Sequence, residues 1–228
     1  MSAGAIAGAA AAPTAQAQPS AGPAPGVAPA AAAPAPAGYE FLKPAEAAFV
    51  EAVANHMIPA DELTPGGVDL GVALYVDRAL AGGWGKGERL YVQGPWAQGT
   101  ANQGYQLALT PAELYRAGVA QSNAYCRKTW GRSFDRLSDN QKEDFLQGLS
   151  RGQVALPGGL PAAAFFDIVY QTVMEGMFAD PIYGGNRGKA AWKMIGFPGV
   201  MANNAANARA YRDGRRLQAK PLSIADMS

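Results

Sequence analysis

Apolar positions recur at helical spacing through most of the chain from Tyr39 onward. In AEAAFVEAVANHMI, Phe49, Val50, Val53 and Met57 share one face, Pro44 fits the first turn and Pro59 stops the run. Val72, Ala73, Val76 and Leu80 repeat that spacing, and Gly82-Gly83 supplies a stop. Thr110-Pro111-Ala112-Glu113 reads as a capping box with proline at the first helical position, opening a helix through Tyr115 and Val119 towards Cys126. Ser138-Asp139-Asn140-Gln141 reads as a second box, ahead of Phe145, Leu146 and Leu149. The most apolar segment is LPAAAFFDIVYQTVMEGMF. There Phe165, Phe166, Ile168, Val169, Val173, Met174, Met177 and Phe178 nearly encircle the axis, which predicts a central helix buried on most sides. Alternating, strand-like runs are scarce. The pattern predicts an all-α fold, a single compact helical domain over residues 39–228 with roughly six to eight helices. Long Gly-rich loops interrupt it at 82–104, 151–159 and 184–188, and loops of that kind in a helical domain are commonly functional or mobile.

Residues 1–38 carry no charge and consist mainly of Ala, Pro and Gly. Pro19, Pro23, Pro25, Pro29, Pro34 and Pro36 block helix propagation, and the small side chains offer little area to bury. A disordered or polyproline-like segment is expected there. Within it, AIAGAAAAPTAQAQ resembles the weak apolar core of an export signal, with Ala15-Gln16-Ala17 as a cleavage site. The basic start of such a signal is missing, so three readings stand. The segment is a true start with a linker, a processed product, or a start placed downstream of the real one. Export is the favoured expectation, and an Ala/Pro linker is the alternative.

Composition narrows the function. The 228 residues carry a net charge of +1, which gives no general field for nucleic acid or an anionic membrane. One cysteine, Cys126, excludes an intramolecular disulfide, and with one histidine, His56, a dedicated Cys/His metal site fails on ligand count. No apolar run is long enough to span a bilayer. Catalytic templates fail as well. The glycines of GGWGKGER have the wrong spacing for a dinucleotide fingerprint, and neither a phosphate loop nor C-x-x-C-H occurs. His56 on a helix flank is expected to be half-buried and bonded to a carbonyl or carboxylate, and Cys126 to be a small core residue. Asp61-Glu62 and Glu143-Asp144 are adjacent carboxylates expected to cap helices or face solvent.

The stretch FADPIYGGNRGKAAWKMIGFPG, residues 178–199, differs from its Ala-rich surroundings. Asp180-Pro181 forms turns, Gly184-Gly185 permits positive φ, and Asn186 can bond its own turn. Arg187 brings a planar fork suited to carboxylates or carbonyls. Residues 189–195 are expected to form a short helix ended by Gly196. Tyr183, Trp192, Met194 and Phe197 then surround a rigid loop, a composition typical of binding hot spots. The plainer reading is an ordered C-terminal wrap packed on the central helix.

These residues carry a resemblance. Phe178-Ala179-Asp180-Pro181, Tyr183-Gly184-Gly185-Asn186-Arg187 and Trp192-Lys193-Met194-Ile195-Gly196-Phe197-Pro198-Gly199 together resemble the hallmark of the gluconate 2-dehydrogenase subunit 3 family. The likeness continues upstream. It includes His56-Met57-Ile58-Pro59-Ala60-Asp61, Gly71-Val72, Tyr75-Val76-Asp77, Leu80-Ala81-Gly82, the 91–94 loop, and residues 109–118, reading LTPAELYRAG. It covers nearly everything from Phe41 to about Met201.

The resemblance implies a small, or gamma, subunit of a periplasmic, membrane-associated sugar-acid dehydrogenase. A large FAD-containing subunit would oxidise the substrate, and a cytochrome c subunit with haem c would pass the electrons on. This chain would hold no cofactor, reach the membrane only through its partners, and aid export by a twin-arginine signal. One departure stands out: no Arg-Arg pair precedes the apolar stretch, Arg215-Arg216 being C-terminal. A start further upstream would supply one. The expected partner contacts are Tyr183, Arg187, Trp192, Met194 and Phe197, with Trp84 and Trp96 as a second candidate region. The rival is a stand-alone protein that binds or oxidises a sugar acid, using His56 with Asp61 or Asp180.

Overall fold

The computed structural model describes residues 38–88, 90–91, 93–97, 99–100, 107–200, 205–215 and 220–227. The Ala/Pro-rich tether and export reading of 1–38 therefore lie, but for Gly38, outside the described residues. Among the described residues the backbone forms seven α-helices and no strand, as the hydrophobic pattern predicts. They are α1 Pro44–Met57, α2 Val72–Ala81, α3 Pro111–Trp130, α4 Asp139–Ser150, α5 Ala162–Phe178, α6 Ala190–Ile195 and α7 Ala205–Arg212.

Local chemistry sets the ends. The Thr110 hydroxyl accepts from Glu113 N at 3.3 Å while Glu113 Oε2 accepts from Thr110 N at 2.8 Å, so both expected halves of the box at α3 exist. Ser138 and Gln141 repeat the exchange at α4. Gly131 ends α3 in the left-handed region, φ 73°, where a side chain would strain the backbone.

α5 is the hub, packed against α2, α3 and α4, with α6 at its end. Phe165, Ile168, Val169, Thr172 and Val173 are buried along it. Its coverage is less complete than the sequence suggests. Phe166, Met174, Met177 and Phe178 are only partly buried, and Asp167, Tyr170 and Gln171 face solvent. An aromatic cluster sits within an otherwise largely aliphatic core: Phe49 and Phe134 lie 4.8 Å apart by ring centroid, and Phe134 and Phe145 5.7 Å. α3 approaches α5 closely at Gly118, where a Cβ would fall 2.0 Å from the Phe165 ring.

One buried charge organises the N-terminal edge. Asp77 on α2 is fully buried, and its carboxylate accepts from the backbone N–H groups of Glu40, Phe41 and Leu42 at 2.8–2.9 Å. The Arg116 guanidinium covers the same segment, 4.3 Å from the Phe41 ring centroid and 3.2 Å from the Phe41 carbonyl. Segment 39–42 is thereby tied to α2 and α3 before α1 begins. No described helix is long and apolar enough to cross a membrane.

Candidate functional site

The motif-bearing stretch 178–199 leaves the C-terminus of α5 and is fixed to three elements within a few residues. Asp180 Oδ1 accepts from Ile182 N at 3.0 Å and caps a 3₁₀ turn, Pro181–Tyr183. Gly184 then takes φ 103°, a conformation closed to most side chains. Gly185 is required for a different reason: a Cβ there would sit 2.1 Å from the Gly176 carbonyl oxygen, so the loop lies directly on α5. Asn186 is fully buried at φ 45°, and its carbonyl closes the turn by accepting from Lys189 N at 2.8 Å while its side chain bonds elsewhere. Its Nδ2 donates to Ala179 O at 3.1 Å, its Oδ1 accepts from Ala191 N at 3.0 Å, and its own N–H donates to Gly176 O. It joins the end of α5 to the start of α6. Arg187 N donates to Leu70 O at 3.0 Å, which adds the approach to α2.

On that frame the expected contact residues divide by exposure. Tyr183, Met194 and Phe197 are exposed, at 55%, 37% and 44%, and Ile182 and Ile195 beside them are exposed too. Trp192 is not: it is 5% exposed, its Nε1 donates to Phe178 O at 2.7 Å, and its ring meets Phe197 edge-on at 5.2 Å. A buried indole with a satisfied N–H supports the frame from beneath. Arg187 is partly buried against Gly71, near the Tyr39 phenol. Trp84 and Trp96 are exposed on the separate α2–α3 connection, which Gly85 folds tightly onto Leu80. The segment wraps the central helix through Asn186 and Trp192 and presents Tyr183, Met194 and Phe197 outward.

The residues of the rival reading are engaged singly. His56 Nε2 lies 2.9 Å from Glu143 Oε2, the half-buried, carboxylate-bonded state expected of it, and does not pair with Asp61 or Asp180. Asp61 accepts from Leu63 N and Thr64 N, and the Thr64 and Leu63 amides hold its carboxyl below the usual range. Glu143 is held down first by Gln147 and then by His56. Cys126 is buried, and burial pushes its thiol up to about 12, the inert state of a small core residue. Among the described residues no three His, Cys, Asp or Glu side chains cluster as metal ligands.

Sequence reasoning missed the C-terminal strap, residues 220–227. Leu222 N donates to Pro198 O at 3.0 Å, Val200 N to Leu222 O at 2.8 Å, and Ile224 N to Asp180 Oδ2 at 2.9 Å. Lys189 Nζ reaches Pro221 O at 3.1 Å and pairs with Asp226. Lys189, then the Ser223 amide and hydroxyl, pull the Asp226 carboxyl from 3.8 down to about 2. A depressed folded pKa means the carboxylate form favours the fastened strap. Its contribution is complete above 3.8 and is lost as pH falls through about 2. Hydrogen exchange at Ser223 and Ile224 is expected to stay slow at neutral pH and to accelerate across that acid window. Protection that persists below it would show that Asp226 does not hold the strap.

Asp77 was also missed as a structural residue, although its place on the buried side of an amphipathic helix, beside Ala73, Val76 and Leu80, was a visible signal. Comparison with known proteins adds the family. No curated protein and no solved structure gave a match. The sequence model for gluconate 2-dehydrogenase subunit 3 matches residues 44–199, more than half of the chain, from the first residue of α1 through the end of the motif-bearing stretch. By that match the chain belongs to the gluconate 2-dehydrogenase subunit 3 family.

Proposed function

We propose that this chain is the non-catalytic small subunit of an FAD-dependent sugar-acid dehydrogenase, and that it docks on and stabilises the flavoprotein subunit. Family membership supplies the coarse statement, a subunit of a gluconate 2-dehydrogenase complex. The observation that carries the finer one is the exposed apolar group Ile182, Tyr183, Met194, Ile195 and Phe197 on a frame fixed by buried Asn186 and Trp192. Rigid aromatic side chains lose little entropy on binding, and aromatic and Met side chains alike repay removal from water. In this reading the flavin sits in the large subunit and haem c in a cytochrome subunit. The assembly works in the periplasm, meets the membrane through those partners, and exports its flavoprotein with this chain's aid.

Co-purification with the flavoprotein subunit tests the docking. Tyr183→Ala and Phe197→Ala are each expected to weaken association about 30-fold, the effect of losing a ~2 kcal/mol anchor. Both side chains are exposed, so far-UV circular dichroism is expected to stay unchanged. Full assembly by the double variant would place the interface elsewhere, and a flavin or haem absorbance band from the purified chain alone would overturn the non-catalytic assignment.

A further inference from the structure

Beside the apolar group lies a cleft of about 340 Å³ lined by Tyr75, Arg78, Ala79, Ile182 and Tyr183. We propose that this cleft is a carboxylate receptor, in which Arg78 grips an aspartate or glutamate side chain of the flavoprotein subunit; the inference rests on the docking role above.

The cleft is built by a reciprocal arrangement. Arg187, on the loop, lies across Gly71 at the start of α2, its Nε 3.0 Å from where a Cβ would be. Arg78, on α2, lies across Gly184 of the loop, its Nη1 3.1 Å from the corresponding point. Each arginine thus lays an edge of its guanidinium group on a glycine of the opposite element, which fixes the orientation of the fork. Six ion pairs form among the described residues, and neither Arg78 nor Arg187 belongs to one. The nearby carboxylate, Glu175, is occupied: Oε2 accepts from the Tyr75 hydroxyl at 3.1 Å and Oε1 from Gln171 Nε2 at 2.8 Å. Burial and Glu175 push the Tyr75 phenol up to about 12, so it stays protonated and neutral beside the arginine.

Charge and shape choose the occupant. Arg78 is the cation among the lining residues and belongs to no ion pair of the described residues, which favours an anion, and its planar fork matches a carboxylate in two parallel hydrogen bonds. Volume sits at the lower end of the roughly 300–1,000 Å³ typical of ligand pockets, room for one side chain and its neighbours rather than a large cofactor. The rim is apolar and continuous with the docking group, since Ile182 and Tyr183, 46% and 55% exposed, belong to both. A free acid would leave that rim in water, whereas a polypeptide carrying the carboxylate covers it.

The test compares wild type with Arg78→Lys, Arg78→Gln and Arg78→Glu in titrations against the flavoprotein subunit, at low and high salt. Arg78→Gln is expected to raise Kd about tenfold and Arg78→Glu about a hundredfold, with Lys between wild type and Gln. Wild-type affinity is expected to weaken with salt, and the Gln variant to respond less. If Arg78→Gln binds like wild type while Phe197→Ala still loses the partner, the docking role stands and this inference falls. If wild type does not bind the flavoprotein, both fall. If the isolated chain binds gluconate by calorimetry, loses it with Arg78→Gln and keeps its partner affinity, the cleft serves a free acid and the inference is overturned.

Discussion

Asp77→Ala is expected to destabilise the helical domain by about 3–5 kcal/mol, because it removes a fully buried acceptor from three backbone N–H groups at once. The wild-type carboxylate is fully buried and accepts three backbone N–H groups, those of Glu40, Phe41 and Leu42. No helix satisfies these amides, since they precede α1. Alanine removes both acceptor oxygens. The Tyr39–Glu51 bond of 2.6 Å and the Arg116 stack on Phe41 then act on a segment whose backbone anchor is gone. Asp77→Asn separates acceptor loss from cavity formation. Oδ1 alone accepts from Phe41 and Leu42, so an amide keeps two bonds and turns an N–H₂ towards the Glu40 amide. An intermediate loss is expected. Urea midpoints give the order wild type, Asn, Ala, and hydrogen exchange at residues 40–42 should report the change first. An alanine variant within about 1 kcal/mol of wild type would show that water replaces the carboxylate and that the anchor is dispensable.

The helices were legible because their signals are local. Thr110 and Ser138 announce themselves by a partner three residues on, and Pro44 and Gly82 act on their own backbone. The orientation of a short helix is not legible in that way. α6 spans six residues, less than two turns, so no periodicity tells Trp192 from Met194. What anchors the indole is Phe178 O, fourteen residues back, while Met194, two residues on, stays exposed. The same distance hid the strap. Lys189 and Asp226 are 37 residues apart with no shared pattern, and Ile224 meets Asp180 across 44. Arg78, exposed on α2, carried no signal of its own in the sequence. Only the crossing of α2 by the loop at Gly71 and Gly184 brings it to one seam with Arg187.

Asn186→Ala is expected to cost about 3–4 kcal/mol and to abolish partner binding with it, linking the buried frame to the exposed face. Alanine breaks two bonds, to Ala179 O and from Ala191 N, and must also hold φ 45°. The left-handed backbone alone costs a residue with a Cβ roughly 1–2 kcal/mol. Asn186→Gly isolates that part: glycine accepts the backbone and lacks the bonds, so it should be more stable than alanine by about that amount and still well below wild type. Asn186→Asp keeps the size and the acceptor for Ala191 N but sets a carboxylate oxygen against the Ala179 carbonyl, and it should fail as well. The consequence for docking follows from position. Asn186 joins α5 to α6, α6 carries Met194, Ile195 and, just beyond it, Phe197, and Trp192 props them from below. Releasing the junction lets the whole apolar group move relative to Tyr183, so partner affinity should fall in all three variants while α1 to α5 remain helical. Near-UV circular dichroism of Trp192 and titration with the flavoprotein subunit measure the two effects in one sample. A glycine variant with wild-type stability and wild-type affinity would mean that the backbone alone, through Gly185 on Gly176, holds the frame and that the amide is incidental.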